Sequence, residues 1–351
     1  MGLIYLIKKH IILKTIKKVK ALAPFNLEVS ENYQLPTNAS GDQINDYYLF
    51  AHTLEGESLV VRKTMYGDGR VEVWVVYHSQ EATYSNKHTT YQNETGPLSI
   101  NLIEAGKTWS FQFNGILNKM RIDETKLATF TNEELAFEIS GLFNSETPVF
   151  DVRTQMDEEL YANAIAKEKW NPNFQDDLIF SRQEQAKQQG MMTAKIKRGA
   201  IESDFKAYGL RIHAYGLQDW TRFNRHIAIM TIIRKGELLD FARLNHQSVN
   251  NLITGYYEKD GRVEQIAFNN STASIPVLGT IPEHFKYRVE LRNAITFDIR
   301  TAVEVIIPYV VSDGKYAILL GIAAFDANKR KTRGMMEFGF NGDDKKWQSK
   351  E

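Results

Sequence analysis

The chain has 351 residues, of which 43% are hydrophobic and 25% charged, an ordinary composition for a folded protein of about two domains. Its 43 Lys and Arg balance 43 Asp and Glu, which excludes a bulk positive charge for holding nucleic acid. The absence of cysteine excludes disulfides, thiolate chemistry and Cys-ligated metals. The phosphate-loop, dinucleotide and zinc motifs are absent too, so we predict no cofactor, no metal and no nucleic-acid partner.

The first 23 residues are predicted to form a basic amphipathic helix. Residues 1–27 contain six lysines and neither an acidic residue nor an arginine. At about 100° per residue, one side of this helix is apolar and the other carries the lysines. Two interpretations stay open: the helix lies in the plane of an anionic membrane surface, or it packs on the body of the protein with its lysines solvated. The apolar side carries Ile11, Ile12, Ile16, Val19 and Leu22.

The N-terminal pattern also bears on localisation. No apolar run reaches the ~20 residues that a membrane-spanning helix needs. The apolar residues 3–7 precede the lysines, which is the reverse of the order in a secretory signal. We therefore expect a cytoplasmic protein, with residues 1–23 as its candidate peripheral contact with a membrane.

Residues 24–154 show the two-residue alternation of β-strands. In Val71–His78, every second residue is Val or Tyr, as expected for a strand with one buried face. Gly67–Gly69 is a turn signal between this run and Ser58–Thr64. We assign residues 24–154 to a first β-barrel.

Residues 155–190 are predicted to be a partly helical connector. Asp157–Leu160 begin an acidic-capped helix that runs to about Lys169. The Gln-rich segment Ser181–Gln189 is predicted to form a second helix, which Gly190 ends. The domain boundary is placed in this connector.

From residue 191 to residue 345 the strand pattern returns. Candidate strands include Met192–Arg198, Ile201–Tyr208 and His226–Arg234, and Lys235-Gly236 is a hairpin signal. Strands about every 10 residues, without helices between them, indicate antiparallel sheets closed into barrels or sandwiches. Two β-rich halves of similar length therefore suggest two barrels.

The segment Tyr208–Trp220 carries the most chemistry. It brings a guanidinium, an imidazole, a carboxylate and aromatic rings together between two strands, a mixture that is able to line a pocket. The alternative interpretation is a structural corner, with a buried, hydrogen-bonded histidine and a tryptophan that plugs a barrel end. The side chains concerned are Arg211, His213, Tyr215, Asp219 and Trp220.

This segment resembles the arginine–aspartate–histidine–serine–tryptophan–glycine signature of the carotenoid hydratase (hydroxyneurosporene synthase)-like and AttH-like proteins. Gly255-Tyr256 and Arg333–Phe338 are similar to later strands of that family, so the resemblance extends over about residues 45–340. It implies a mainly all-β fold of two lipocalin-like antiparallel β-barrels in tandem, here with a helical connector and a basic N-terminal helix.

The resemblance also implies site residues. In the hydratase branch, the His and Trp of this signature, with a Tyr and a later acid, are the active-site groups. His213 is retained, whereas the signature's Asp, Ser and Trp are replaced by Ile212, Ala214 and Tyr215. Asp240 is the nearest strand carboxylate for the later acid.

Two functions from different classes follow, and both need an apolar cavity inside a barrel with Tyr208–Trp220 at its mouth. In the first, which we favour, the cavity binds or transfers an isoprenoid, sterol-like or acyl lipid. In the second, a cofactor-independent hydratase, isomerase or cyclase protonates a polyene from His213 or Asp219, and His213→Ala should lose about 10²–10⁴-fold in rate. The predicted ligand contacts are Arg211, Tyr215, Trp220 and Asp240.

Overall fold

The computed structural model describes residues 2–22, 25–92, 96–170, 183–246, 249–269, 283–311 and 316–341. Most of this chain is strand, in two antiparallel sheets that each close on themselves. The helices are α1 (Leu3–Leu22), α2 (Leu27–Glu31), α3 (Val152–Gln155) and α4 (Glu158–Lys167).

The first barrel contains strands β1 to β11. The path β11-β1-β2-β3-β4-β7-β8-β10 becomes a ring because β10 also pairs with β11 along its whole length, while β5, β6 and β9 add to its edges. The strands are β1 (Gln43–His52), β2 (Ser58–Tyr66), β3 (Arg70–His78), β4 (Thr83–Ser85), β5 (Thr90–Gln92), β6 (Leu98–Glu104), β7 (Thr108–Ile122), β8 (Ala128–Ser145), β9 (Phe150–Asp151), β10 (Gln183–Arg198) and β11 (Ile201–Leu217).

The second barrel is a closed ring of the remaining strands, because β12 pairs with both β13 and β19. The predicted all-β fold of two tandem antiparallel barrels is thereby confirmed. The strands are β12 (Phe223–Arg234), β13 (Glu237–His246), β14 (Val249–Lys259), β15 (Arg262–Asn269), β16 (His284–Leu291), β17 (Thr296–Val311), β18 (Tyr316–Ala327) and β19 (Arg330–Asn341).

Tight turns set the register of several hairpins. Lys235-Gly236 joins β12 to β13, as its sequence predicts, and Gly236 has a φ of 70°. Asp260-Gly261 joins β14 to β15 with φ values of 50° and 76°. Positive φ at the central residues is what a two-residue turn needs in order to match the twist of its strands, and Gly and Asp tolerate it best.

One connector segment differs from its prediction. Residues 183–189 form the first half of β10 rather than a helix, while residues 181–182 lie outside the described residues. The backbone of this segment pairs with β11 on one side and with β9 on the other. Two ladders of hydrogen bonds outweigh the modest helix propensity of its glutamines. The first predicted helix of the connector is α4.

The division between the barrels also differs from the predicted one. Strands β10 and β11 close the first barrel, so the predicted boundary at residue 190 falls inside β10. The barrels divide between Leu217 and Phe223 instead. In the sequence, β10 and β11 follow the connector and so resemble the start of the second barrel. The alternation of their residues does not show which sheet they join.

Apolar clusters fill both barrels and the space between them. Val61 and Trp109 belong to the cluster inside the first barrel, and Phe241 and Ile299 to the cluster inside the second. A further cluster, which includes Trp74, lies between the barrels. Because successive strand residues point to opposite faces, a strand such as β3 supplies both a barrel interior and the interface.

Helix α1 packs on the body of the protein, against α4 and β14. Ile12 and Ile16 are fully buried there, which confirms the predicted helix and its packed side. Ile11 differs from its prediction, because it is 41% exposed on the other side of the helix. Within the described ranges, no helix is both long enough and apolar enough to cross a membrane.

Candidate functional site

Strand β11 separates the predicted residues by its alternation. Arg211, His213 and Tyr215 point to one face of the strand, and Ile212 and Ala214 point to the other. The first three face the interior of the first barrel, whereas Ile212 and Ala214 face the second barrel. Residues that are close in sequence therefore contribute to two different environments.

Arg211 is fully buried inside the first barrel. Its Nη2 lies 2.8 Å from Oε1 of Glu31 and 2.8 Å from Oε1 of Gln188, and its guanidinium carbon lies 3.7 Å from the centre of the Trp109 ring. Burial lowers the pKa of Arg211 and raises the pKa of Glu31, although the two charges attract each other. Since Glu31 ends α2, the pair attaches this helix to the barrel.

His213 is also held by neighbours in the first barrel. Its Nε2 lies 2.8 Å from Oδ1 of Asn45, and its ring stacks on Tyr47 with ring centres 4.4 Å apart. Burial and the charge of Arg211 lower the pKa of His213 to about 3, so the imidazole is neutral at physiological pH. These contacts are those of a structural histidine, and the catalytic role of His213 stays a prediction.

The other predicted residues divide between the surface and the interface. The hydroxyl of Tyr215 donates to Glu184 at 2.7 Å, and the Glu184 side chain is 28% exposed. Asp219 lies before the short 3₁₀ helix Trp220–Arg222, and its Oδ2 is 3.1 Å from Nε of Arg222 at the partly exposed surface. Trp220 instead stacks on Tyr316 with ring centres 4.9 Å apart and faces the space between the barrels.

A cavity of about 210 Å³ lies in that space. Strands β1, β2, β10 and β11 of the first barrel, β12, β13, β14, β18 and β19 of the second, and helix α4 all contribute to its wall. It is larger than the ~150 Å³ cavity that admits benzene in another protein. The cavity thus lies between the barrels rather than inside one of them, because the described barrel interiors are occupied by apolar side chains.

Aromatic and apolar side chains form most of the cavity wall. Trp220, which the sequence predicts as a ligand contact, is among them, and so is Tyr161 from α4. Such a wall holds an apolar guest by excluding water from it. The aromatic side chains and the methionine of the wall are Tyr48, Phe150, Tyr161, Trp220, Phe223, Met230 and Tyr256.

Asp240 and Lys187 form an ion pair at the cavity wall. Nζ of Lys187 lies 2.6 Å from Oδ2 of Asp240, and the side chains are 15% and 2% exposed. Burial raises the pKa of Asp240 in spite of the attraction of Lys187. The pair therefore places an amine and a carboxyl group in direct contact at the cavity wall.

A second group of charges continues along the interface. Oε2 of Glu337 lies 3.8 Å from Nε2 of His226, whose Nδ1 is 2.7 Å from the hydroxyl of Tyr316. Burial opposes the ionisation of Glu337, but hydrogen bonding to His226 and the nearby positive charge of Arg62 lower its pKa overall. Arg62 in turn binds Asp46 through two hydrogen bonds of 3.0 Å.

Tyr256 lines the cavity and carries a buried hydroxyl. Its ring stacks on Phe150 with ring centres 3.8 Å apart, and its hydroxyl has no hydrogen-bond partner among the described residues. The preceding Gly255 has a φ of 140°, and a Cβ there would lie 2.3 Å from the carbonyl oxygen of Asp240. Only glycine therefore lets β14 lie this close to β13, which brings Tyr256 beside Asp240.

Two of these cavity residues, Trp220 and Asp240, are predicted from the sequence as ligand contacts, whereas most of the others are not. Lys187 was assigned to a helix, and Glu337 belonged to a motif but received no role. Gly255-Tyr256 was a usable signal, because a glycine inside a strand often marks a close approach of two backbones. Over the described part of the chain, no cluster of His, Asp or Glu side chains is arranged to hold a metal ion.

Comparison with solved structures shows which proteins share this architecture. The AttH-like protein NE1406 of Nitrosomonas europaea matches with a TM-score of 0.54 and 10% identity, over 90% of this chain and 98% of that one. CghA, solved with Sch210972, matches with a TM-score of 0.50 and 7% identity, over 88% and 93%. Kievitone hydratase from Nectria haematococca gives 0.48 and 9%, over 90% and 93%.

The similarities to NE1406 and CghA show the fold and fit the AttH-like tandem architecture of lipocalin-like barrels. A scan against protein-family models and a search of curated proteins found no match. The structural neighbours therefore say how the chain folds, and the chemistry has to be argued from its own cavity.

Proposed function

We propose that the protein binds a small, mainly apolar molecule carrying one polar group in the cavity between its barrels. The observation that carries the proposal is the cavity wall itself, in which aromatic side chains accompany the Lys187–Asp240 pair. Apolar walls with a few convergent polar groups are typical of small-molecule sites. CghA, which has a similar fold, was solved with a small molecule bound, and this supports the proposal.

The size of the cavity limits the guest. A volume of about 210 Å³ is below the ~300–1,000 Å³ of sites for drug-sized ligands, so a whole sterol does not fit inside it. A short isoprenoid alcohol or a comparable ring compound has suitable dimensions. Its hydroxyl would bind at the Lys187–Asp240 pair, and its hydrocarbon part would pack on Trp220.

The test is binding of geraniol, a short isoprenoid alcohol, measured by ligand-detected NMR on the full chain. Ala242→Phe places a ring in the cavity and should weaken binding roughly tenfold or more. Ala136→Phe, on the exposed face of β8, is the matched control and should bind like the wild type. Native mass spectrometry of gently purified protein, followed by lipid extraction, identifies any natural guest.

Two outcomes would overturn the binding proposal. The first is a wild-type protein that retains no lipid and binds no geraniol. The second is an Ala242→Phe variant that folds, as judged by its melting curve, and still binds with unchanged affinity. A smaller change at the same wall, Ala228→Leu, serves if Ala242→Phe does not fold.

A second candidate function is proton transfer to a bound alkene, as in a cofactor-independent hydratase or isomerase. It is favoured by one observation, namely that the carboxyl group of Asp240, whose pKa is raised by burial, lies beside Tyr256 at the cavity wall. In a hydration, the carboxyl proton of Asp240 would add to one alkene carbon. Water would add to the other carbon and return a proton to the carboxylate.

Deuterium incorporation from D₂O into geraniol, followed by mass spectrometry, tests this second function. Asp240→Asn should lower the rate by about 10²–10⁴-fold. His213 and Asp219 lie outside the cavity, so His213→Asn and Asp219→Asn should leave the rate unchanged. If these two variants lose the activity and Asp240→Asn keeps it, the proton comes from His213 or Asp219, as the sequence predicts.

A further inference from the structure

The outward side of α1 exposes large apolar side chains at its start. Leu3 and Ile4 are 74% and 76% exposed, and Leu6 and Ile7 are 54% and 51% exposed. The opposite side of the helix packs on the body of the protein, where Ile12 and Ile16 are buried in one apolar cluster with residues of α4 and β14. Four adjacent aliphatic side chains in water form a patch that is usually covered by a partner.

The lysines of α1 divide into two groups. Those on the inner side bind α4, since Lys8 donates to the carbonyl oxygen of Ala166 and Lys9 lies 2.6 Å from Glu159. Lys20 likewise donates to a carbonyl of the connector. The outer group is exposed and, over the described residues, forms no ion pair. It consists of Lys14, Lys17 and Lys18.

We propose that the outward side of α1 docks the protein on an anionic lipid bilayer. The exposed apolar residues of the first two turns would insert among the lipid chains, while Lys14, Lys17 and Lys18 contact the head groups. The charge supports this choice, because residues 1–27 contain six lysines and no acidic residue. A bilayer supplies in one partner both the apolar interior and the negative surface that this face complements.

The same charges argue against a second copy of the chain as the partner. In a two-fold dimer through this face, the same patch of surface on each copy contacts the other copy. Lys14 and Lys18 would then face the lysines of the other copy across a water-excluding contact. Like charges in such a contact cost affinity, whereas an anionic surface gains from them.

The docking surface is joined to the cavity by α4. This helix packs under α1 and contributes Tyr161 to the cavity wall. A bilayer bound to α1 would therefore lie on the side of the protein that carries α4. The docking proposal goes beyond the binding proposal and does not depend on it, because the surface and the cavity have no residue in common.

The test uses the full chain in vesicle co-sedimentation, with phosphatidylcholine vesicles that either contain phosphatidylserine or lack it. Each lysine near an anionic surface contributes about fivefold to partitioning, so Lys14→Gln/Lys18→Gln should lower it by about 30-fold. The matched control is Lys286→Gln/Lys331→Gln, which removes the same charge from exposed positions of the second barrel. The control should bind like the wild type, and added salt should weaken wild-type binding.

A second pair of variants tests the apolar part of the surface. Ile4→Asn/Ile7→Asn should abolish sedimentation with the phosphatidylserine vesicles. Ile103→Asn/Ile201→Asn, at positions 60% and 57% exposed elsewhere, should not. All four positions are exposed, so their substitution leaves the core intact.

Three results would overturn the docking proposal. They are no binding of the wild type to anionic vesicles at low salt, equal loss of binding in the control variants, and equal binding to vesicles without phosphatidylserine. Sedimentation of the protein without vesicles shows whether it forms a dimer. A dimer that dissociates on Ile4→Asn/Ile7→Asn would assign the face to a second copy of the chain instead.

Discussion

His213 shows what burial does to a titratable side chain that carries no charge in the folded state. It is fully buried, and its pKa is lowered to about 3 from 6.5 by burial and by Arg211. Above pH 6.5 neither the folded nor the unfolded state protonates this residue. Below pH 6.5 the unfolded chain binds a proton that the folded chain refuses. The free energy of unfolding therefore falls by up to ~1.4 kcal/mol per pH unit, down to about pH 3.

We predict that His213→Gln removes this source of acid sensitivity. Between pH 6.5 and about pH 5, the free energy of unfolding should fall by about 2 kcal/mol less in the variant than in the wild type. Urea denaturation over this range measures the difference. The exposed His284 provides the control, and His284→Gln should keep the wild-type slope. An unchanged slope in His213→Gln would mean that the folded protein protonates His213.

For Glu258 we predict the opposite pH dependence of stability. Burial raises its pKa to about 7 from 4.5, although Thr147 offers a hydrogen bond. The unfolded chain loses this proton from about pH 4.5 and the folded chain only near pH 7, so stability falls as the pH rises through that window. Glu258→Gln should therefore be the more stable protein above pH 7, by about 3 kcal/mol at most.

The measurement for Glu258 is the free energy of unfolding on both sides of the window. Glu202→Gln, whose side chain is 62% exposed, serves as the control and should follow the wild type at every pH. If Glu258→Gln is equally destabilised at low and at high pH, the carboxyl group is ionised in the folded state or is needed for its shape alone.

At the scale of single elements, the sequence predicts strands whose alternation follows from one buried face. Val71–His78 shows this alternation and β3 covers it, but both faces of β3 are buried, one inside the first barrel and one against the second. β10 is the counterexample, because Gln183–Gln189 has no apolar alternation to read. Its strand conformation comes from pairing with β11 and β9, and the pairing partners are not visible in the local sequence. For the same reason the first barrel was predicted to end too early.

Helix α2 is an element whose position depends on one buried ion pair. Because Glu31 contacts Arg211 inside the barrel, we predict that Glu31→Gln destabilises the protein by about 3–5 kcal/mol, the cost of leaving a buried charge unpaired. Arg211→Met should be costly as well. The double variant should recover part of the loss, since an apolar replacement of both partners leaves no orphaned charge.

A double-mutant cycle on the free energy of unfolding measures this coupling, and hydrogen exchange of α2 shows whether the helix detaches. The exposed pair Lys197–Glu138 is the control, for which coupling should stay below about 1 kcal/mol. Additive effects of Glu31→Gln and Arg211→Met would show that α2 is held by other contacts.

At the scale of the whole molecule, the candidate site exists only because two barrels meet. Asp46 and Glu337 lie near opposite ends of the chain, yet both line the same cavity. The alternation of apolar and polar residues shows that a strand has two faces. It does not show which other part of the protein each face packs against. This is why Trp220 and Asp240 were predicted as ligand contacts while Lys187 and Glu337 were not.

The shared interface also predicts how the molecule unfolds. Trp74 of β3 is 2% exposed and stacks on Tyr309 of β17 with ring centres 4.2 Å apart, so one side chain supports both barrels. We predict that Trp74→Ala lowers the free energy of unfolding by about 3–5 kcal/mol and that the protein still melts in one transition. The barrels would unfold together, because neither keeps its outer face covered without the other.

Hydrogen exchange resolved by peptide separates this expectation from its alternative. In Trp74→Ala, protection should fall by a similar factor in β1–β11 and in β12–β19. Ile103→Ala, at a position 60% exposed, should change neither. If the first barrel alone loses protection, or if two melting transitions separate, the barrels are independent folding units. The cavity between them would then be a site that opens without global unfolding.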